Sequence, residues 1–288
     1  MAYFVHLGIL VGIYAILGLS LNLVVGYAGL LSVTHAAFYG IGAYATAILL
    51  TTHHLPFFLA LPLSAAITAA GSLLISWVLS RFRENYYALG SLGFNVIVFS
   101  ILLNWQSLTH GPLGLPGIPR PAVFGYVFSD NLSFLLLVAA FAALTYGFCR
   151  YISRSSFGRV LKAIREDEQV LGAFGYRTAS YKLGIFVIGA VLASMAGSLF
   201  ATYISFIDPT SFTVNESIFV LSAIILGGLA NVRGSVLGAA FLILLPEVLR
   251  FVGFPSDVAA QLRQVSYGLL LVLLMRYRPK GLLGEYVL

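Results

Sequence analysis

Charged residues are scarce in this chain. Its 288 residues include 16 basic and 10 acidic side chains, so 9% of the residues are charged and 60% are hydrophobic. Soluble domains carry roughly 25% charged residues. The composition therefore excludes a soluble globular enzyme. It also excludes an intrinsically disordered chain, which needs low hydrophobicity and high charge. It is typical of an all-α, polytopic helical membrane protein.

Residues for catalysis or metal binding are equally sparse. The single cysteine, Cys149, excludes an internal disulfide and a multi-cysteine metal site. The five histidines lack the spacing of a zinc protease, and the sequence contains neither a GxSxG segment nor a GxxxxGKS/T phosphate loop. We therefore expect no catalytic residues, no metal site and no ATP-binding loop on this chain.

The positions of the charges are more informative than their number. None occurs before Arg81, and ten lie between Arg150 and Lys182, seven of them basic. A basic surface for nucleic acid would also explain an isoelectric point near 9.5. However, the charges lie in short loops between apolar runs, so the tendency of basic loops to stay in the cytoplasm explains them better. We expect no nucleic-acid partner.

We interpret nine apolar runs as membrane spans, since a span takes roughly 20 mainly apolar residues. The seventh run is short, so the expected count is eight to ten. With the basic loops inside, nine spans place the N-terminus outside and the C-terminus in the cytoplasm. The predicted spans are 3–25, 35–51, 57–80, 86–108, 131–151, 183–204, 217–230, 235–252 and 263–276.

Two segments at the predicted outer boundary need separate comment. Residues 111–121 hold four prolines and three glycines, which exclude an α-helix. They form either a stiff external connector or a docking surface for an extracytoplasmic partner. Asp208 and Glu216 flank the next boundary, and we expect both carboxylates to be solvated or to cap the following helix. The alternative is a buried carboxylate, which is costly in a membrane and often functional.

The charged loop over about 152–182 predicts a helix at 156–175. Ser155 or Ser156 can cap its start, and Gly175 can end it in the left-handed conformation. The helical spacing places Val160, Ile164, Leu171 and Phe174 on one apolar face. One interpretation is a helix lying on the membrane surface. The mixed charge favours the other interpretation, in which the helix docks into a groove of a partner protein.

A second segment, 22–44, combines glycines with polar residues inside an apolar run. Glycines in a span permit close helix contact or local unwinding, and unwound backbone in transporters often binds or passes substrate. Glycine-mediated packing, with the histidine hydrogen-bonded inside the protein, is the alternative. The candidate pathway residues are Asn22, Gly26, Gly29, Ser32, His35 and, from a later span, Asn95.

The stretch LGLSLNLVVGYAGLLSVTHAAFYGIGAYATAIL at 17–49 resembles the N-terminal signature of branched-chain amino acid ABC transporter permeases, in particular their M-type subunits. Three later stretches are similar to the same family in the same order. They are the Gly-Pro segment, the charged loop with the span after it (156–201), and the C-terminal third (226–250 and 276–284). The resemblance covers nearly the whole chain.

The resemblance implies a single permease domain over 1–288 that forms half of a pore in the bacterial inner membrane. It implies a second, H-type permease, two cytoplasmic ATPases that bind ATP and Mg²⁺, and an extracytoplasmic substrate-binding protein, with membrane lipid around the pore. The chain itself would hold no cofactor. Branched-chain amino acids are the default substrates, and relatives carry urea, short amides or aromatic acids. A stand-alone secondary transporter or channel is the alternative of a different class.

The resemblance also makes the 156–175 helix the element that couples this chain to an ATPase. In many importers that element carries an EAA-type motif before a glycine. Here Gly175 is kept, but Gln169, Val170 and Leu171 stand in place of the motif. The predicted coupling residues are Arg159, Lys162, Arg165, Glu166, Asp167, Glu168 and Gly175.

Overall fold

The computed structural model describes residues 2–80, 82, 85–123, 126–251, 268–269, 272, 276, 281–284 and 286. Within these residues the chain forms eleven α-helices. They are α1 (Ala2–Asn22), α2 (His35–Thr51), α3 (Phe57–Leu79), α4 (Asn85–Asn104), α5 (Gln106–Thr109), α6 (Asn131–Arg154), α7 (Ser156–Glu166), α8 (Glu168–Ala173), α9 (Thr178–Ile204), α10 (Val214–Gly227) and α11 (Val232–Phe251). Three charged residues of the 81–84 loop, Arg81, Arg83 and Glu84, and most of the predicted ninth span lie outside the described residues.

Five of the described helical segments are long and apolar enough to cross a membrane, and three shorter apolar helices accompany them. The long segments are Ala2–Tyr27, Phe57–Leu79, Tyr86–Asn104, Asn131–Arg154 and Thr178–Ile204, and the shorter ones are His35–Thr51, Val214–Gly227 and Val232–Leu245. These eight segments coincide with the first eight predicted spans, which confirms an all-α, multi-pass architecture. The count of nine stays a prediction.

The first span forms the centre of the fold. Every residue from Ala15 to Asn22 is buried, and α1 packs against α6, α9, α10 and α11. In contrast, α3, α4 and α6 each leave one apolar face open, with Leu74, Leu89 and Leu144 between 64% and 69% exposed. A helix that is apolar on all sides belongs in a core, whereas an open apolar face in a membrane protein meets lipid or another subunit.

Short strands organise the end of the fold that the charge pattern predicts to be external. The strands are β1 (Leu115–Pro116), β2 (Ala122–Val123), β3 (Tyr126–Val127) and β4 (Phe206–Ile207), with β1 antiparallel to β4 and β2 antiparallel to β3. The segment 111–121 contains no α-helix, as its prolines predict, although Gly111–Leu113 form a 3-10 turn. The β1–β4 pair joins this segment to the α9–α10 connector.

Small residues allow α2 and α9 to pack in direct backbone contact. A Cβ added at Gly197 would lie 2.1 Å from the carbonyl oxygen of Tyr39, and one added at Gly42 would lie 2.4 Å from Cα of Ser194. The Thr46 and Ser198 hydroxyls are hydrogen-bonded across the same interface at 2.6 Å. Small residues and interhelical hydrogen bonds are the usual basis of helix association in membranes, because apolar side chains gain little hydrophobic free energy when they leave lipid for a helix interface.

We expect Gly197→Val to separate α2 from α9 and to lower the free energy of unfolding in detergent by about 1–3 kcal/mol. Thermal unfolding of the purified protein measures the change. Gly147→Ala on α6 is the matched control, since an added Cβ there meets nothing within 4 Å. Equal stability of the two variants would contradict direct α2–α9 backbone packing.

Candidate functional site

The connection between α1 and α2 is a break inside the membrane domain. After α1 the chain forms a π-helical turn, Leu23–Tyr27, and residues 28–34 are not helical. His35 at the start of α2 is hydrogen-bonded through Nε2 to the Ser20 hydroxyl at 2.6 Å. Ser20 lies seven residues before Tyr27, which corresponds to about 10 Å along a helix. The non-helical segment therefore turns back into the protein. The structure shows local unwinding at 28–34 and also the internal hydrogen bond of His35 that the alternative predicts.

Side chains from other helices satisfy the backbone of this segment. The Val33 amide donates to the Ser91 hydroxyl at 2.9 Å, and the Val33 carbonyl accepts from Nδ2 of Asn95 at 2.7 Å. The Ala36 amide donates to the Ser217 hydroxyl at 2.8 Å. Non-helical backbone at membrane depth persists only where the protein supplies such partners. α4 and α10 are thus held at fixed positions against the break.

Asn22 connects the end of α1 to the turn between α10 and α11. Its Nδ2 donates to the Ser235 hydroxyl at 2.6 Å and to the Asn231 carbonyl at 3.0 Å, and its Oδ1 accepts from the Ala230 amide at 3.0 Å. Gly26 fits into the same contact, since an added Cβ would lie 2.6 Å from the Ala230 nitrogen. Asn22 and Gly26 therefore both hold the end of the first span against the turn between α10 and α11.

The predicted pathway residues thus cluster around the break. Asn22, Ser32, His35 and Asn95 are at most 3% exposed, and Ser32 is hydrogen-bonded to the Thr34 hydroxyl at 2.7 Å. Gly29 is exposed and has a φ of +70°, a conformation that glycine adopts readily. Whether these residues contact a substrate stays a prediction.

The predicted 156–175 helix is two helices, α7 and α8, and the prediction of one continuous helix is wrong. The Ser155 hydroxyl caps α7 by accepting from the Gly158 amide at 3.2 Å, as predicted. Asp167 then leaves the helical conformation, and its carboxylate accepts from the Gln169 and Val170 amides, so it caps α8. Gly175 ends the segment with a φ of +85°, which confirms the predicted left-handed end.

The break at Asp167 also changes the predicted apolar face. Leu161 and Ile164 of α7 are buried, Val160 and Leu171 are only partly buried, and Phe174 is 78% exposed. No residue of α8 is buried. Together with Val170 and Tyr176, which are 50% and 46% exposed, Phe174 forms an open apolar surface. We call these three residues the α8 surface.

Arg165 points into the protein instead of toward an outside partner. Its guanidinium donates to the carbonyl oxygens of Val25, at 3.3 Å, and of Gly26. The Tyr286 ring lies 4.3 Å from its Cζ, and burial lowers the pKa of Arg165 from its ordinary value. A π turn leaves carbonyl groups without their usual i+4 donors. The Arg165 guanidinium donates to two of these carbonyl groups at the end of the first span.

Lys162 supports the same contact, with Nζ 5.5 Å from the Tyr27 ring centroid and 5.9 Å from that of Tyr286. Tyr286 is brought there by the C-terminal segment, in which the Leu282 and Leu283 amides donate to carbonyls at the end of α10. The α7 helix, the π turn and the C-terminal segment therefore meet at one junction. We call Arg165, Lys162, Tyr27 and Tyr286 the α7 junction.

The remaining predicted coupling residues divide into two groups. Glu168 forms an ion pair with Lys182 and accepts from the Thr178 hydroxyl at 2.9 Å, which fastens α8 to α9. Arg159 and Glu166 are exposed, and Arg159 donates to the Ser156 hydroxyl at 2.9 Å. An open cleft of about 930 Å³ is lined by residues of α7 and α8, by 28–31, and by Ser80, Phe82 and Tyr87.

The structure corrects the prediction for Glu216. Asp208 does cap the 3-10 turn Pro209–Phe212, by accepting from the Ser211 amide at 3.1 Å. Glu216, in contrast, is partly buried, and its Oε1 accepts from the Tyr14 hydroxyl at 2.5 Å. Tyr14 lies halfway along the helical segment Ala2–Tyr27. Glu216 is therefore at mid-depth and not at the outer boundary, because the α9–α10 connector turns inward before α10 begins.

Loss of the Arg165 side chain should loosen the π turn. In Arg165→Gln we expect amide hydrogen exchange over Leu23–Tyr27 to accelerate by about ten- to a hundredfold, because two backbone carbonyls lose a charged donor. Arg159→Gln, on the exposed side of the same helix, is the control and should leave exchange unchanged. Equal exchange in both variants would show that Arg165 does not hold the turn.

The similarity of this chain to known proteins identifies its family. Residues 3–275 match the family described as the branched-chain amino acid transport system / permease component. No solved structure gives a significant match. Among the relatives are the high-affinity branched-chain amino acid transport system permease proteins LivM of Salmonella typhimurium and Escherichia coli. The first is 37% identical over 294 residues (94% of this chain, 68% of the relative), and the second is 36% identical over 302 residues (97% and 69%).

The permease protein LivH of the same transport system in Escherichia coli is also similar, at 27% identity over 295 residues, 94% of this chain and 91% of that protein. The similarity therefore extends from α1 through α11 and includes the break, α7 and α8. The family match and the LivM relatives each cover nearly the whole chain. This chain belongs to the branched-chain amino acid transport system permease family.

Proposed function

We propose that this chain is a permease subunit of an ATP-driven importer for branched-chain amino acids in the bacterial inner membrane. Family membership over 3–275 is the observation that carries the proposal. Urea, short amides and aromatic acids are the alternative substrates within the same family resemblance. The catalytic step, ATP hydrolysis, is assigned to separate subunits, and the sequence lacks the phosphate loop that such subunits need.

The second half of the pore is assigned to an H-type permease. The chain is similar to LivM relatives and, at lower identity, to LivH relatives, which supports a pore of two related but distinct chains. The open apolar faces of α3, α4 and α6 offer surface for that subunit and for lipid. The extracytoplasmic binding protein is assigned to the outer end, where 111–121 pair with the α9–α10 connector.

The α7–α8 pair is the proposed contact with the ATPases. Three exposed apolar side chains on a short polar segment suit insertion into a groove of a partner protein. The pair is fastened to the membrane domain in two places, by Arg165 at the π turn and by the Glu168–Lys182 ion pair at α9. We therefore expect a movement of the α8 surface to be transmitted to the π turn through these two contacts, with no flexible linker between them.

A gradient-driven secondary transporter is the second candidate, and the partly buried carboxylate of Glu216 favours it, because such groups serve as proton or ion sites in transporters. The two functions differ in a direct assay. The chain alone in liposomes should take up no leucine under a proton or sodium gradient. Uptake under those conditions would replace the importer by the secondary transporter.

The assembled complex should import leucine only with ATP and the binding protein. We expect the purified chain to hydrolyse no ATP and the complex with two ATPases, the second permease and the binding protein to accumulate radiolabelled leucine in proteoliposomes. The control is a complex whose ATPases carry an inactivating substitution in the phosphate loop. Leucine uptake that continues in this control would contradict the proposal.

The α8 surface should be required for ATPase attachment. We expect Phe174→Ala to lower recovery of the ATPases in a detergent pull-down at least tenfold, since a buried aromatic anchor at an interface contributes about 2 kcal/mol or more. Leu113→Ala is the matched control: it truncates an 82% exposed apolar side chain at the opposite end of the fold. Full ATPase recovery with Phe174→Ala would place the contact elsewhere.

A further inference from the structure

The C-terminal segment is bonded to the end of α10. In this segment the Leu282 amide donates to the Leu226 carbonyl at 2.9 Å, and the Leu283 amide donates to the Gly227 carbonyl at 3.0 Å. The last carbonyls of a helix have no donors within the helix, so another part of the protein must supply them. Residues from the far end of the chain therefore complete the hydrogen bonding of α10.

The same segment lies directly on the turn between α10 and α11. A Cβ added at Gly228 would lie 2.1 Å from the Gly284 nitrogen, so the two backbones are in contact. The Asn231 side chain closes the turn from the other direction, since its Nδ2 donates to the Leu283 carbonyl at 2.7 Å. Backbone packed on backbone leaves little room for sliding, and we expect the C-terminal segment to move together with this turn.

Tyr286 extends the contact from this turn to α7. Its ring centroid lies 4.3 Å from Cζ of Arg165 and 5.9 Å from Nζ of Lys162, and the ring is partly buried against the hydrophobic core. A cation within about 6 Å of an aromatic ring is attracted by its π electrons, and more strongly where water is partly excluded. One tyrosine thus receives two cationic side chains of the same helix.

The contacts of α7 form a closed set through Tyr286. Arg165 donates to the carbonyls of the π turn at the end of α1, and its other neighbour is the Tyr286 ring. The two ends of these contacts are themselves joined, because Nδ2 of Asn22 on α1 donates to the Ser235 hydroxyl on α11. The other described contacts of α7 are mainly with α6, α8, α9 and the π turn. The tyrosine is therefore its link to the turn between α10 and α11.

We propose that Tyr286 is a positioning residue for energy coupling, which holds α7 to the turn between α10 and α11 so that a movement imposed by an ATPase moves the end of α1 and the start of α11 together. The inference rests on the proposed function and adds to it an element outside the α7–α8 pair. Without the ring, α7 acts on the π turn alone. Part of the ATP hydrolysed then produces no transport.

Tyr286→Ala in the assembled transporter tests this role. We expect the amount of leucine imported per ATP hydrolysed to fall about three- to tenfold, as for the loss of one partly buried cation–π contact, with recovery of the ATPases unchanged in a pull-down. Tyr286→Phe keeps the ring and should keep the wild-type ratio. Leu282→Ala is the matched control, since it truncates an exposed side chain of the same segment and leaves the backbone bonds in place.

Three results would overturn the proposal. The first is a wild-type ratio of leucine to ATP in Tyr286→Ala. The second is a loss in Tyr286→Phe as large as that in Tyr286→Ala, because the ring would then not be the group that matters. The third is poor recovery of the ATPases with Tyr286→Ala, since the residue would then serve assembly and not the transmission of movement.

Amide hydrogen exchange in the purified chain tests the contact without transport. In Tyr286→Ala we expect exchange over α7 and at Leu282 and Leu283 to accelerate about three- to tenfold, because the two parts no longer hold each other. Exchange over α4 should stay at the wild-type rate, which shows that the variant is folded. Unchanged exchange over α7 would overturn the contact. A wild-type complex that imports no leucine, with exchange as expected, would overturn the importer and leave the contact standing.

Discussion

A membrane helix can be interrupted only where the protein itself satisfies each freed backbone group, and much of this structure is arranged around that requirement. The interruption at residues 23–34 releases carbonyls at Val25 and Gly26, which Arg165 binds, and an amide and a carbonyl at Val33, which Ser91 and Asn95 bind. Arg165 belongs to α7, and Ser91 and Asn95 both belong to α4. The break therefore fixes where α4 and α7 lie.

The same contacts connect two distant parts of the molecule. Arg165 holds the π turn from the charged end of the fold, and Asn95 holds both Val33 and Ser217 at mid-depth. If α7 moves relative to α1, it must either break the arginine contacts or carry the π turn with it. In the second case residues 28–34 move as well, and α10 follows through Asn95. The route consists of short hydrogen bonds between helices, without a long loop.

Sequence patterns predicted the spans well, because a long apolar run has few alternatives in a membrane protein. They also predicted the Ser155 cap and the Gly175 end, which depend on local chemistry. They did not predict the break at Asp167. There an aspartate followed by Gln169 and Val170 starts a new helix, and capping outweighed the helical propensity of the surrounding residues.

The inward contacts of Arg165 and Glu216 were not predictable from local patterns. Charge patterns place a charged residue at a surface, yet Arg165 is drawn inward by carbonyls that the π turn leaves free. Hydropathy likewise places Glu216 at a boundary, because it averages over the connector without showing that the connector turns inward. Both positions depend on contacts with residues about 140 and 202 positions away in the chain, and no local pattern contains that information.

The Asn22 contact has a consequence for biogenesis. Its partners, Ala230, Asn231 and Ser235, are synthesised more than 200 residues after it. When α1 enters the bilayer, it is therefore a hydrophobic segment whose amide side chain has no permanent partner. The central helix of the finished protein therefore completes its contacts only after α10 and α11 have been made. Folding of the domain is therefore not complete when the early helices have inserted. It also requires α10 and α11 to insert and to pack against α1, which is already in the bilayer.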